Sequence, residues 1–248
     1  MKRYVIFIKF RGTAYHGWQI QDNAHSVQKE IQNALSTLLQ EKIEITGAGR
    51  TDTGVHATMM AAHFDAENIG EKGDFLYHLN GLLPPDIAVF RIAETSPDFH
   101  ARFDVLNRSY VYQICFQKDP FLNDYAYRLP QKPDLVKMNM AAEKLIGESD
   151  FSCFSKAHTQ TKTNRCEIIH AAWKENPDVW VFEITADRFL RNMVRAIVGT
   201  LLEIGNGKRS LESLDDLILS KDRSLAGISV PGHALFLSQL SYPESSFI

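Results

Sequence analysis

The chain has 248 residues, 44% hydrophobic and 23% charged, with a formal net charge of −3, enough for one large domain or two modest ones with real cores. Its three cysteines, Cys115, Cys153 and Cys166, have no C-x-x-C spacing, so neither a disulfide framework nor a zinc site is indicated and a reducing cytoplasm is the natural compartment. The N-terminal MKRYVIFIKF has too short an apolar run before Lys9 for a signal peptide or a membrane span.

Residues 3 to 10 read as an apolar strand, and Ser26 as the N-cap of a helix with Val27, Ile31, Leu35 and Leu38 on one stripe. Strands follow near 43 to 46, 58 to 64 and 87 to 93. SYVYQICF, residues 109 to 116, alternates Tyr110, Tyr112, Ile114 and Phe116 on one face, the period of a half-buried strand. A helix after Pro133 leads to strands at about 165 to 173 and 178 to 185. In RFLRNMVRAIVGTLLEIG the residues Leu190, Met193, Val194, Ile197, Val198, Leu201 and Leu202 make one helix face, and Gly205 suits its stop. Each half mixes strands with one or two helices and lacks regular βα alternation, which favours α+β architecture with largely antiparallel sheets. The expected division is 1–100 and 101–248, with the boundary at Ser96-Pro97 and a cleft where the halves meet.

Charge is unevenly placed. Lys2, Arg3, Lys9 and Arg11 precede the first acid, Asp22; residues 65 to 98 are acid-rich; Lys156, Lys162, Arg165, Lys174, Arg188, Arg191, Arg195, Lys208 and Arg209 make a later stretch basic. This suits a phosphate-binding face on an otherwise acidic protein, and equally a solvated mixed surface.

GAGRTDTGVHA, residues 47 to 57, holds the chemistry-bearing motif. Asp-Thr-Gly is also the triplet of aspartic proteases, which need two carboxylates sharing one proton. Here there is one such triplet, so only a homodimer would supply the pair. Arg50 at i−2 falls on the side of Asp52 in an extended segment and would hold the carboxylate ionised. An ionised aspartate is a nucleophile or charge stabiliser rather than half of a dyad. The bland alternative is a glycine-rich turn with a surface ion pair.

GAGRTDTGVHA resembles the active-site motif of the tRNA pseudouridine synthase A family. FRGTAYHGWQIQ (10 to 21), FHARFDVLNRSYVYQI (99 to 114), GESDFSCF (147 to 154), FLRNMVRAIVG (189 to 199) and DRSLAGISVPGHALFL (222 to 237) are similar to further segments of that family, in its order. The departures are Ser149 and Asn192, where histidine is common, and Ala234, where glycine usually precedes the leucine. The resemblance implies the pseudouridine synthase fold, two similar-sized domains meeting at a central cleft. It also implies isomerisation of uridine to pseudouridine at positions 38 to 40 in the anticodon stem-loop of tRNA, by a homodimer with no cofactor and no metal.

Carried over residue by residue, the resemblance makes Asp52 the catalytic carboxylate, Tyr110 the ring that stacks on the flipped base, and Leu235 the apolar residue closing the base pocket. It puts Arg195 beside the aspartate and leaves Arg50 to act on RNA. Arg188 and Arg191 stand at i−7 and i−4 from Arg195, so on one helix the three could line one face, by default a solvated one; Arg188 and Arg191 are phosphate candidates only. Residue chemistry alone leaves Tyr110 and Leu235 as strand packing. His56 is assigned to turn or packing. His16, Trp18 and Gln19 form either an RNA-facing loop or one anchored by a buried tryptophan. An RNA-modifying isomerase, a dimeric aspartic protease and a non-catalytic RNA-binding protein are thus the competing readings.

Overall fold

Tyr4 to Ile8 are all buried, so this strand is covered on both faces of its sheet. In the computed structural model, which describes residues 1–156 and 163–248, this strand is β1 (Lys2–Phe10); Lys162 of the basic stretch lies outside the described residues. The chain continues through α1 (Val27–Leu39), β2 (Thr46–Gly47), β3 (His56–Ala66), α2 (Lys72–Leu82) and β4 (Ile87–Thr95). β1 is antiparallel to both long neighbours, with Ile6 opposite Ala62 on β3 and Ile92 on β4. α1 buries Val27, Ile31, Ala34 and Leu35, one stripe at helical spacing. α2 has no such stripe in the sequence. It buries only Phe75 and Leu79, and the Glu71 carboxylate caps it by accepting the Asp74 N–H at 2.8 Å. The expected strand at 43 to 46 reduces to β2, because Ile43 and Ile45 are buried without ladder partners in a strand.

A second set of elements comprises β5 (Asn107–Cys115), β6 (Tyr127–Arg128), α3 (Leu135–Glu143), β7 (Gly147–Asp150), β8 (Arg165–Glu175), β9 (Trp180–Ala186), α4 (Met193–Gly205) and α5 (Ser213–Ser220). The order is β5–β9–β8–β7, antiparallel throughout, and β6 lies parallel on β5. α3 starts where Asp134 accepts the Lys137 N–H at 3.0 Å, one residue past Pro133. α4 is buried nearly all round, so it is the core helix of this unit rather than an amphipathic surface helix. A Cβ on Gly199 would stand 1.9 Å from the Ile228 carbonyl oxygen; the helix backbone lies directly on that segment.

The last strand, β10 (Leu235–Ser241), pairs parallel with β3, Phe236 opposite His56 and Leu237 opposite Ala57. The compact units are therefore Met1–Leu106 with Phe236–Ile248, and Asn107–Leu235. The last strand thus belongs with the first unit, not with the expected 101–248. A two-residue parallel pairing across most of the chain has no local signature that would have placed it. The architecture is α+β and mostly antiparallel.

Candidate active site

Asp52 lies in the connection from β2 to β3, and backbone hydrogen bonds fix that connection on both sides of it. Thr51 accepts the Trp18 N–H at 3.3 Å, Gly54 donates to the Tyr15 carbonyl at 3.3 Å, and Val55 donates to the Asp52 carbonyl at 3.2 Å. Gly54 has φ +76, a conformation that costs glycine little. Trp18 is 2% exposed and its indole ring packs on Gly47, where a Cβ would meet it at 2.5 Å. His16 and Gln19 are exposed. The segment is thus an anchored loop with two outward polar side chains.

Asp52 itself is half-buried. Arg50 is exposed, and among the described residues it makes no hydrogen bond or ion pair, so the expected Arg50–Asp52 pairing is not what the loop builds. The i−2 argument assumed an extended chain, whereas the loop bends around its backbone contacts at Thr51 and Gly54. His56 is 2% exposed; its Nδ1 accepts the Gly12 N–H at 3.0 Å and its ring stacks on Phe236 at 4.7 Å. That is a packing role, with the proton of the neutral ring on Nε2.

In the second unit Tyr110 is half-buried on β5, opposite Ile184, with its ring edge-on to Phe189 at 5.2 Å. Arg195 stands in the first turn of α4. Its Nε donates to the Val230 carbonyl at 2.7 Å, and its own carbonyl accepts the Val230 N–H at 3.2 Å. Tyr112, on the same face of β5 as Tyr110, donates to the Pro231 carbonyl at 3.1 Å. The strand carrying Tyr110 and the helix carrying Arg195 therefore converge on residues 230 and 231, which run on to the buried Leu235. Sequence reasoning gave Val230 and Pro231 no role; their part is played by backbone atoms, which side-chain chemistry cannot reveal.

The expected alignment of Arg188, Arg191 and Arg195 on one helix face fails. α4 begins at Met193, preceded by Asn192 at φ 68, so Arg188 and Arg191 lie in the connection before it. A left-handed residue ends any helical phase carried from the N-terminal side. Asparagine adopts that conformation more readily than most residues, and its amide donates to Ser229 Oγ at 2.5 Å. Ala234, buried in a 3-10 turn, has no positive φ, so the absence of glycine there costs no backbone strain. Ser149 sits on β7 opposite Cys166. Burial pushes the Cys153 and Cys166 thiols up to about 12, so neither is a thiolate nucleophile near neutral pH.

A family model described as tRNA pseudouridine synthase matches residues 6–104 and 141–243. The chain belongs to the tRNA pseudouridine synthase family. It is 52% identical to tRNA pseudouridine synthase A of Bacteroides thetaiotaomicron over 250 residues, covering 100% of this chain and 93% of that one. It is 51% identical to tRNA pseudouridine synthase A of Parabacteroides distasonis over 248 residues, covering 100% and 98%. The same name belongs to a relative in Syntrophomonas wolfei, 40% identical over 248 residues and covering 99% and 100%. The relation to these tRNA pseudouridine synthases is end to end rather than confined to one module, so it takes in the Asp52 loop, Tyr110 and the α4 region alike.

Proposed function

We propose that the chain isomerises uridine to pseudouridine in the anticodon stem-loop of tRNA, at positions 38 to 40, as a cytoplasmic homodimer, with Asp52 as the catalytic carboxylate. The observation that carries this reading is the loop holding Asp52: its backbone is fixed on both sides by hydrogen bonds while the side chain stays half-buried, in a chain related along its whole length to tRNA pseudouridine synthases. The reaction detaches the base from C1′ and rejoins it through C5, with no net change in oxidation state. A carboxylate serves it by adding to C6, by attacking C1′, or by removing a proton to give a glycal.

A stem uridine must leave its stack before its glycosidic bond is reached. Tyr110 offers a ring to the extruded base and a hydroxyl near the reacting atoms, and Leu235 offers apolar contact on the other side. Arg195, its guanidinium aligned by the Val230 carbonyl, is a further substrate-binding residue. Arg50, exposed and unpaired among the described residues, holds a phosphate or fills the gap left by the flipped base, while Arg188 and Arg191 contact phosphates. No helix of the described residues is long and apolar enough to cross a membrane.

The test is to incubate the protein with an unmodified tRNA transcript and map pseudouridine by carbodiimide and alkali treatment followed by primer extension. Stops within the 3′ side of the anticodon stem are expected. Transcript bound but unmodified would make the protein a binding module. Pepstatin-sensitive peptide hydrolysis at acidic pH would restore the protease reading.

A further inference from the structure

The segment Gly12–Trp18 touches the Asp52 loop at three places. Besides the bonds at Thr51 and Gly54, a Cβ on Gly12 would stand 2.0 Å from the Val55 carbonyl oxygen, and one on Gly17 (φ +97) 2.3 Å from that of Thr51. Only glycine lets two backbones approach so closely. Asp52 lies between these contacts, so any lateral shift of the segment moves its carboxylate.

The segment is held from its other side by several bonds. Val27 and Gln28, at the N-terminus of α1, donate to the Gly17 and Trp18 carbonyls at 3.3 and 3.0 Å. His16 donates to the His25 carbonyl at 2.9 Å, and Tyr15 is a further tether. It is 2% exposed, its ring lies 4.7 Å from that of His25, its carbonyl accepts the Gly54 N–H, and its hydroxyl donates to Asp86 Oδ1 at 2.6 Å. Asp86 is itself fixed, because its carbonyl accepts the Arg11 N–H at 2.9 Å just before β4 begins. A short bond to a carboxylate is among the stronger neutral-donor hydrogen bonds.

We infer that Tyr15 and Asp86 form a positioning pair for the catalytic loop: the bond between them sets where the Gly12–Trp18 segment lies, and hence where Asp52 points. The inference rests on Asp52 being the catalytic carboxylate. Neither residue touches the reacting atoms. Tyr15→Phe removes the hydroxyl and leaves the ring packing, so the loss appears in the chemical step and not in tRNA affinity. A displacement of up to about 1 Å lowers such a step by roughly 10- to 100-fold.

The experiment is single-turnover pseudouridine formation at saturating enzyme, with the tRNA dissociation constant and a thermal melt measured on each variant. Tyr15→Phe is expected to lower the rate constant by roughly 10- to 100-fold with the dissociation constant within about twofold of wild type. Asp86→Asn, which keeps an acceptor oxygen, is expected to stay near the wild-type rate, and Asp86→Ala to match Tyr15→Phe. The double variant Tyr15→Phe with Asp86→Ala should be no slower than either single change, the signature of one shared interaction. A wild-type rate in Tyr15→Phe, additive losses in the double variant, or a loss confined to tRNA affinity would each overturn the pair. Should Tyr15→Phe melt non-cooperatively, the contrast between Asp86→Asn and Asp86→Ala decides. A wild-type protein that forms no pseudouridine fails the functional reading instead, so the two failures are distinct.

Discussion

Tyr110 offers two handles, a ring face and a hydroxyl, and a single substitution separates them. Tyr110→Phe keeps the edge contact with Phe189 and the stacking face, so tRNA binding should survive while single-turnover rate falls by roughly 10²- to 10⁴-fold, the range of a lost proton-transfer group. Near-normal turnover would reduce Tyr110 to a stacking platform, and Tyr110→Ala would then be the damaging change. A different residue governs acid stability. His63 is 7% exposed on β3, its Nδ1 accepting the Ala101 N–H at 3.1 Å, with Arg3, His100, Asp65 and Asp104 around it. Burial first, then the charge of Arg3, lowers its pKa from 6.5 to about 4. Between those values the unfolded chain binds more protons than the folded one, so stability falls as pH drops through that window. Asp65, held low by the Arg3 hydrogen bond, contributes a further loss only below the ordinary carboxylate range. Thermal melts across the window should show the decline, and His63→Gln, which keeps an acceptor for Ala101, should flatten it; an unchanged slope would contradict the assignment. Residue types were legible where their meaning is local: the Asp52 motif and its glycines stand out in eleven consecutive positions. The Val230 carbonyl as partner of Arg195 was not, since a guanidinium's direction depends on backbone that lies elsewhere in the chain.

Strands with period-two burial and the helix with a full apolar stripe could be read from the sequence, because periodicity is what burial writes into it. β9 and α1 are of this kind, while β1 was legible as a continuous apolar run. α2 escaped because two buried residues four apart carry too little signal, and α4 was started five residues early because Leu190 continues the apolar spacing past the left-handed Asn192. α4 also supplies a test of close backbone packing. Gly199→Ala puts a methyl 1.9 Å from the Ile228 oxygen, an overpacking that should destabilise by about 1–3 kcal/mol. Gly81→Ala in α2 meets nothing within 4 Å and should be neutral or stabilising by up to ~1 kcal/mol from helix propensity. Urea melts of the pair check this: equal effects would mean that the α4 contact with residues 227 and 228 yields freely.

At the scale of the molecule, acids outnumber Lys and Arg by 30 to 27, so a polyanionic partner has to be met by local groups rather than by net charge. The exposed Arg50 and Arg191 are such groups. The whole account turns on the charge of a single carboxylate. Asp52→Asn preserves the side chain's size and hydrogen-bonding shape and removes that charge, while the loop's backbone bonds at Thr51, Gly54 and Val55 remain. Single-turnover reactions with tRNA at saturating enzyme separate lost chemistry from lost affinity. The predicted result is a folded variant that binds tRNA like wild type and forms no detectable pseudouridine; substantial product from Asp52→Asn would contradict the account.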